Sequence, residues 1–172
     1  SEALPDVWWI WYSGDALGIL VVAPMILVLG SRGLRHLPVR RRLEGVLLGV
    51  ATVLSCLIVF GLRSADNSLG AGLAFTLFPF VLWAATRYGM PGAATPTLVV
   101  SAAAVIGTVL RQGPFAAQVL HRQLPLLQLF ICIVAVTGLV LAVFVEEREE
   151  RESRRVREVE ARTRAEEELL HA

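Results

Sequence analysis

Five long apolar stretches constrain what this chain can fold into. A bilayer hydrocarbon core is about 30 Å thick and requires roughly 20 consecutive apolar residues in a helix. Hydrophobic residues make up 55% of the 172 residues and charged residues only 18%, a balance that excludes an ordinary soluble domain. The stretches cover residues 7–29, 43–62, 69–87, 92–110 and 124–145. The sequence therefore predicts an all-α, polytopic bundle of five transmembrane helices.

Arginines between the apolar stretches predict the orientation of the bundle. The chain has 16 basic residues, all of them arginines, and five of these lie in segment 31–42, after the first stretch. Short arginine-rich loops stay on the cytoplasmic side of a membrane. We therefore predict an N-terminus outside and a C-terminus in the cytoplasm. The absence of lysine is typical of GC-rich codon usage and favours a bacterial plasma (inner) membrane.

The last part of the chain has a different composition. Residues 146–172 hold ten glutamates and seven arginines and no Gly or Pro, which predicts a helix continuing from the last span. We divide the chain into a membrane domain, 1–145, and a cytoplasmic signalling helix, 146–172. An incomplete heptad pattern through Val145, Val156, Val159 and Leu170 favours a parallel coiled-coil homodimer. A solvated single helix is the alternative.

No motif in the sequence indicates catalysis. The chain lacks a Gly-rich phosphate loop, an HExxH, a CxxC and a nucleophile elbow. His36, His121 and His171 lie in different loops and in the tail, so they do not form one metal site. We predict that this chain is not an enzyme, that it has no cofactor or metal, and that it binds no nucleic acid.

Four sequence blocks, in order, resemble a known family. They are WYSGDALGILVVAP (11–24), FPFVLWAATRYGMPGAA (78–94), GTVLRQGPF (107–115) and LLQLFICIVAVTGLVLAVFVEER (126–148). They resemble the type-one membrane-associated sensor family, abbreviated MASE, over most of residues 8–148. Its members usually have more predicted spans than five, so the resemblance implies that an N-terminal part precedes these spans.

The resemblance also implies a function. Such domains are membrane input modules of bacterial histidine kinases, which act in two-component systems, and of diguanylate cyclases, which make cyclic di-GMP. The string RTRAEEELLHA at the end of the tail resembles the linker before a GGDEF diguanylate cyclase domain. We therefore expect a sensory input domain that regulates a C-terminal enzyme outside this chain, first a diguanylate cyclase and otherwise a histidine kinase. A transporter or channel fragment and a passive dimerising membrane anchor are the alternatives.

An intramembrane carboxylate marks a candidate site for the signal. Asp15 is the acidic residue well inside an apolar stretch, and such a group is costly unless it faces protein, water or a cation. We expect it to be packed in the bundle and hydrogen-bonded, either beside a ligand or in an ion pair that only positions helices. The other candidates at similar depth are Gly14, Gly18, Arg63, Thr108, Arg111 and Gln128. The stimulus could be an unknown small molecule, a membrane-protein partner or the lipid bilayer.

A second group of candidate residues could couple the membrane bundle to the signalling helix. Arg87 and Tyr88 end the third stretch and are followed by Gly89 and Pro91. One hypothesis joins this short loop to the base of the fifth helix, through Glu146 or Glu147. The alternative is that Arg87 reaches lipid phosphates.

Overall fold

The computed structural model describes residues 3–30, 39–61, 72–115 and 120–171. Helix α1 covers Ala3–Gly30, α2 covers Val39–Gly61, a 3₁₀ turn Phe75–Leu77 leads into α3, Phe78–Val109, and α4 covers Leu120–His171. The described ranges contain no strand. The predicted all-α fold is confirmed.

The helices have the length and composition of membrane spans. Among the described residues four regions qualify: Trp8–Val28, Arg40–Gly61, Gly72–Val109 and Leu124–Arg164. The sequence analysis predicted five spans, and its third and fourth both fall in the region that ends with α3. The predicted end of the second span, Leu62, and the predicted start of the third, Leu69, lie outside the described residues.

Helix α3 is broken at Gly89. This residue has φ 62° and ψ −138°, a conformation open essentially to glycine alone. The two arms, 78–88 and 90–109, then lie side by side, because Val81 Cγ1 and Thr97 Oγ1 both lie within 3.3 Å of where a side chain at Gly138 would begin. In a straight helix those two residues would be about 24 Å apart along the axis. The second arm therefore folds back along the first, and both arms pack on α4.

The contacts define two ends of the bundle. At one end, the ring of Phe130 lies 5.5 Å from that of Phe115, 6.3 Å from that of Phe78 and 6.5 Å from that of Phe60. At the other end, Tyr88 packs against Gly45 of α2. Residues 45 and 60 of α2 are about 22 Å apart at 1.5 Å per residue. The hairpin arms of α3 extend between these two ends.

Helix α4 is continuous over 52 residues, from Leu120 to His171. Its first half packs in the core, where Val134, Ala135 and Ala142 are fully buried, and residues 146–164 of its second half are exposed. Ion pairs four residues apart link Glu147 to Arg151, Glu150 to Arg154 and Glu160 to Arg164 in this exposed half. The predicted continuation of the last span into the tail is confirmed.

Candidate functional site

Arg87 and Tyr88 connect the first arm of α3 to α2. Arg87 Nη2 lies 3.0 Å from Glu44 Oε2, and the Tyr88 hydroxyl donates a hydrogen bond of 2.9 Å to the Arg41 carbonyl. The Tyr88 ring packs over Gly45 of α2, at 3.5 Å from where a side chain there would begin. The hypothesis joined the short loop after Arg87 to Glu146 or Glu147 of the last helix. Arg87 itself contacts α2, and the residues that follow it, Gly89 and Met90, contact Glu146.

Glu146 makes the contact between the α3 hairpin and α4. Its Oε1 accepts a hydrogen bond of 3.0 Å from the Met90 N–H and lies 3.1 Å from where a side chain at Gly89 would begin. Met90 begins the second arm, and the first N–H groups of a helix have no partner within the helix. A carboxylate there is also favoured by the helix dipole. Glu146 therefore caps the second arm.

Glu147 has a different environment. It pairs with Arg151 on the exposed surface of α4 and faces away from the hairpin. Of the two glutamates that the sequence analysis offered for this contact, the structure brings only Glu146 to the turn. Gly89 followed by Pro91 indicates in the sequence that a new helix begins here, since a proline is typical of the first turn of a helix. The free N–H groups of such a turn can donate to a carboxylate such as that of Glu146.

A second polar contact joins α1 to α4 at the opposite end of the bundle. Gln128 Nε2 donates a hydrogen bond of 2.9 Å to the Ile10 carbonyl, and Gln128 Oε1 lies 3.0 Å from the Ser13 hydroxyl, whose single proton is shared with the Trp9 carbonyl at 2.7 Å. A side chain at Gly14 would begin 3.5 Å from Gln128 Nε2. The structure therefore brings together two of the predicted signal residues, Gly14 and Gln128, and adds Ser13, which sequence reasoning missed.

Asp15 lies on the other side of α1. The residues of α1 that face the bundle recur as Ile10, Ser13, Leu17, Leu20, Val21 and Val28. Asp15 is about 160° around the helix from their mean direction, at 100° per residue. It is exposed and has no hydrogen bond or ion pair with any described residue, and Trp11 and Ile19 on the same face are 72% and 68% exposed. The expectation that Asp15 is packed in the bundle is wrong for this chain.

The remaining signal candidates do not gather into one site. Gly18 faces open space, since no atom lies within 4 Å of where a side chain there would begin. Thr108 donates to the Ala104 carbonyl of its own helix at 2.8 Å. Arg111 is exposed, with φ 55°, in the turn after α3. Arg63 lies outside the described residues.

Two buried hydroxyl groups were missed by sequence reasoning. Thr97 is 3% exposed and Ser101 is 7% exposed, and within the described part of the chain neither hydroxyl has a hydrogen-bond partner. They lie four residues apart on the second arm of α3, and Thr97 Oγ1 lies 3.3 Å from the side-chain position of Gly138. This close α3–α4 packing uses small residues, as membrane helix interfaces do.

Comparison with known proteins agrees with this architecture. The chain has no match among curated proteins or solved structures. The MASE1 family model matches residues 1–149, which is most of the chain. The protein therefore belongs to the MASE1 family of membrane sensory domains.

Proposed function

We propose that this membrane sensor domain regulates a cytoplasmic enzyme joined to the end of α4. A GGDEF diguanylate cyclase is the first candidate, on the likeness of the tail to a GGDEF linker, and a histidine kinase is the second. The chain itself supplies no catalytic residues and acts through movement of α4.

The contact between Glu146 and Met90 carries this proposal. Glu146 lies where α4 leaves the packed bundle, and it holds the turn at which α3 reverses. From Glu146 to His171 the helix extends for about 37 Å at 1.5 Å per residue. A change in the angle between the arms of α3 would therefore move the base of a continuous helix, which has no flexible joint to absorb the movement.

The topology that this function requires has five membrane crossings. Because the two arms of α3 lie side by side and extend between opposite ends of the bundle, we assign one crossing to each arm. The end that carries Arg40, Arg41 and Arg42 is then cytoplasmic by the arginine rule. Glu146 lies at this same end, so α4 leaves the membrane on the side where a signalling enzyme would act.

The exposed half of α4 supports a dimer. Val156 and Val159 are 53% and 64% exposed in the mainly charged part of α4 that follows Val145. A parallel pairing of two such helices would cover both valines, and the incomplete heptad pattern suits a switch, because two packings of similar energy can both be populated. Cyclases and kinases of these classes act as dimers.

The test uses the full-length protein in native membranes. Synthesis of cyclic di-GMP from GTP and autophosphorylation from ATP are measured for the wild type and for Glu146→Ala, Glu146→Gln and Glu158→Ala. The proposal predicts altered activity with Glu146→Ala. Partial retention is expected with Glu146→Gln, whose amide oxygen still accepts the Met90 N–H, and no change with Glu158→Ala, an exposed control outside the heptad positions. Absence of both activities, or equal activity of all variants, would contradict it.

Insertions in the tail test whether α4 transmits a movement to the enzyme or only attaches the enzyme to the membrane. Insertion of three residues after Val156 rotates the rest of the tail by about 60°, whereas seven residues rotate it by about 20°. We expect the first insertion to change or abolish regulation and the second largely to preserve it. If both insertions left regulation unchanged, the tail would only attach the enzyme to the membrane and would not transmit a signal.

A further inference from the structure

Helices α2 and α3 border a half-open cavity at the arginine-rich end of the bundle. The second arm of α3 meets α2 at the far end, where a side chain at Gly107 would begin 3.0 Å from Phe60 Cβ. Toward Arg41 the two helices leave between them a cavity of about 420 Å³. This volume is in the range of ligand pockets, roughly 300–1,000 Å³.

The cavity is apolar along its length and positively charged at its mouth. Glycines of both helices and prolines of α3 line the space, and a side chain at Gly49 would meet no atom within 4 Å. Tyr88 and Ala84 of the first arm also line it, and Arg41 and Arg42 border the mouth. The Tyr88 hydroxyl donates to the backbone carbonyl of Arg41 and does not engage its guanidinium. Among the described residues no acidic side chain pairs with the Arg41 guanidinium.

The dimensions indicate the occupant. The α2 residues that line the cavity run from Arg41 to Thr52, about 16 Å along the axis, close to the roughly 15 Å of hydrocarbon in one leaflet. A helix of that length would occupy on the order of 1,300 Å³, more than the empty space of about 1,040 Å³ between the two helices. A slender acyl chain fits the space, and the arginines complement an anionic head group, as basic pockets between spans do.

We propose that this cavity binds one acyl chain of an anionic phospholipid from the leaflet at the Arg41 end, with its phosphate beside Arg41 and Arg42. Lipid in this position would touch Pro91 and Gly92, the residues that follow the Met90 N–H held by Glu146. Any regulatory effect of the lipid therefore rests on the proposed function, whereas binding does not.

Native mass spectrometry of the full-length protein in mild detergent tests the binding. Phosphatidylglycerol, phosphatidylcholine with the same acyl chains, and inorganic phosphate are added separately. The wild type should retain one phosphatidylglycerol in preference to phosphatidylcholine and no inorganic phosphate. Equal retention of both lipids would overturn the proposal, and so would binding of inorganic phosphate as tight as that of phosphatidylglycerol.

Two variants and two matched controls identify the site. Arg41→Gln should weaken phosphatidylglycerol retention about fivefold and leave phosphatidylcholine unchanged, since one arginine near a lipid surface contributes about that factor. Gly49→Leu should abolish retention of both lipids by filling the cavity. Arg40→Gln and Gly61→Leu, at positions that do not line the cavity, should behave as the wild type.

Circular dichroism of each variant checks that the helices are retained. Wild-type lipid retention in a folded Gly49→Leu protein would overturn the proposal. A protein dimer without lipid, lost in Gly49→Leu, would assign the cavity to a second copy and overturn it as well. Because these measurements read binding and not enzyme output, their failure is distinct from failure of the proposed function.

Discussion

Gly92 packs directly against the carbonyl group of Ala84, eight residues earlier in the chain. A methyl group at Gly92 would overlap the Ala84 carbonyl oxygen and lie 2.7 Å from Tyr88 Cβ. In one continuous helix these residues would be about 12 Å apart. This contact therefore holds the two arms of α3 close together near the reversal at Gly89.

Gly92→Ala should destabilise the protein strongly. Overpacking typically costs about 1–3 kcal/mol, and here the obstacle is backbone, so we expect the upper end of that range. Thermal unfolding in detergent measures the change. The control is Gly49→Ala, which faces open space and should unfold at or above the wild-type temperature. Equal unfolding temperatures for the two variants would contradict the hairpin contact.

Replacing Gln128 should loosen the attachment of α1 to α4. Hydrogen bonds between membrane helices contribute on average about 0.6 kcal/mol and at most about 1.7 kcal/mol. We expect Gln128→Leu to lose about 1 kcal/mol and Ser13→Ala less, with a positive coupling in the double-mutant cycle. Thr108→Val, which removes a hydroxyl bonded within its own helix, should not couple to Gln128→Leu. Strict additivity of the Ser13 and Gln128 changes would argue against their hydrogen bond.

The ion pair between Arg87 and Glu44 should contribute little to stability. Both side chains are nearly half exposed, at 44% and 46%, and pairs of this kind contribute about 0–1 kcal/mol. A double-mutant cycle of Arg87→Gln and Glu44→Gln should give a coupling in this range at low salt. Raising the salt concentration should reduce it, because exposed charges are screened. A coupling above about 2 kcal/mol that is insensitive to salt would show a buried pair.

Asp15→Asn should leave the stability of this chain nearly unchanged. The Asp15 carboxylate has no partner among the described residues, and exposed substitutions usually change the free energy of unfolding by less than about 0.5 kcal/mol. Detergent melting of the chain 1–172 measures this. A loss above about 1 kcal/mol would show that Asp15 has an intramolecular partner after all.

Reporter fusions should read the orientation of the bundle. With five crossings and the arginine-rich segment inside, fusions at Leu37 and Ala172 should be cytoplasmic. Fusions at Asp66 and Gly113 should lie on the opposite side. A cytoplasmic reading at Gly113 together with an outer reading at Ala172 would mean that the arms of α3 do not cross separately.

The sequence by itself determined the class of structure. Long apolar stretches can satisfy their backbone groups in lipid only as helices, so the all-helical fold followed from composition and length. The continuation of α4 into the tail followed from 27 residues after Val145 without Gly or Pro. Three ion pairs in this tail join a glutamate to the arginine four residues later. These features depend on local geometry, which spacing along the chain encodes directly.

Only the tertiary structure decided which faces of the helices meet. In a membrane, the side of a helix that faces lipid is as apolar as the side that faces protein, so α1 has no periodic pattern to show that Asp15 faces away from the bundle. The partner of Arg87 depended on α2 lying beside the first arm of α3. The cap that Glu146 provides depended on the reversal at Gly89, which brings a backbone N–H next to a residue 56 positions away. Contacts between distant segments depend on how the helices pack. The hydrophobicity pattern along a membrane helix does not distinguish the face that packs on protein from the face that contacts lipid.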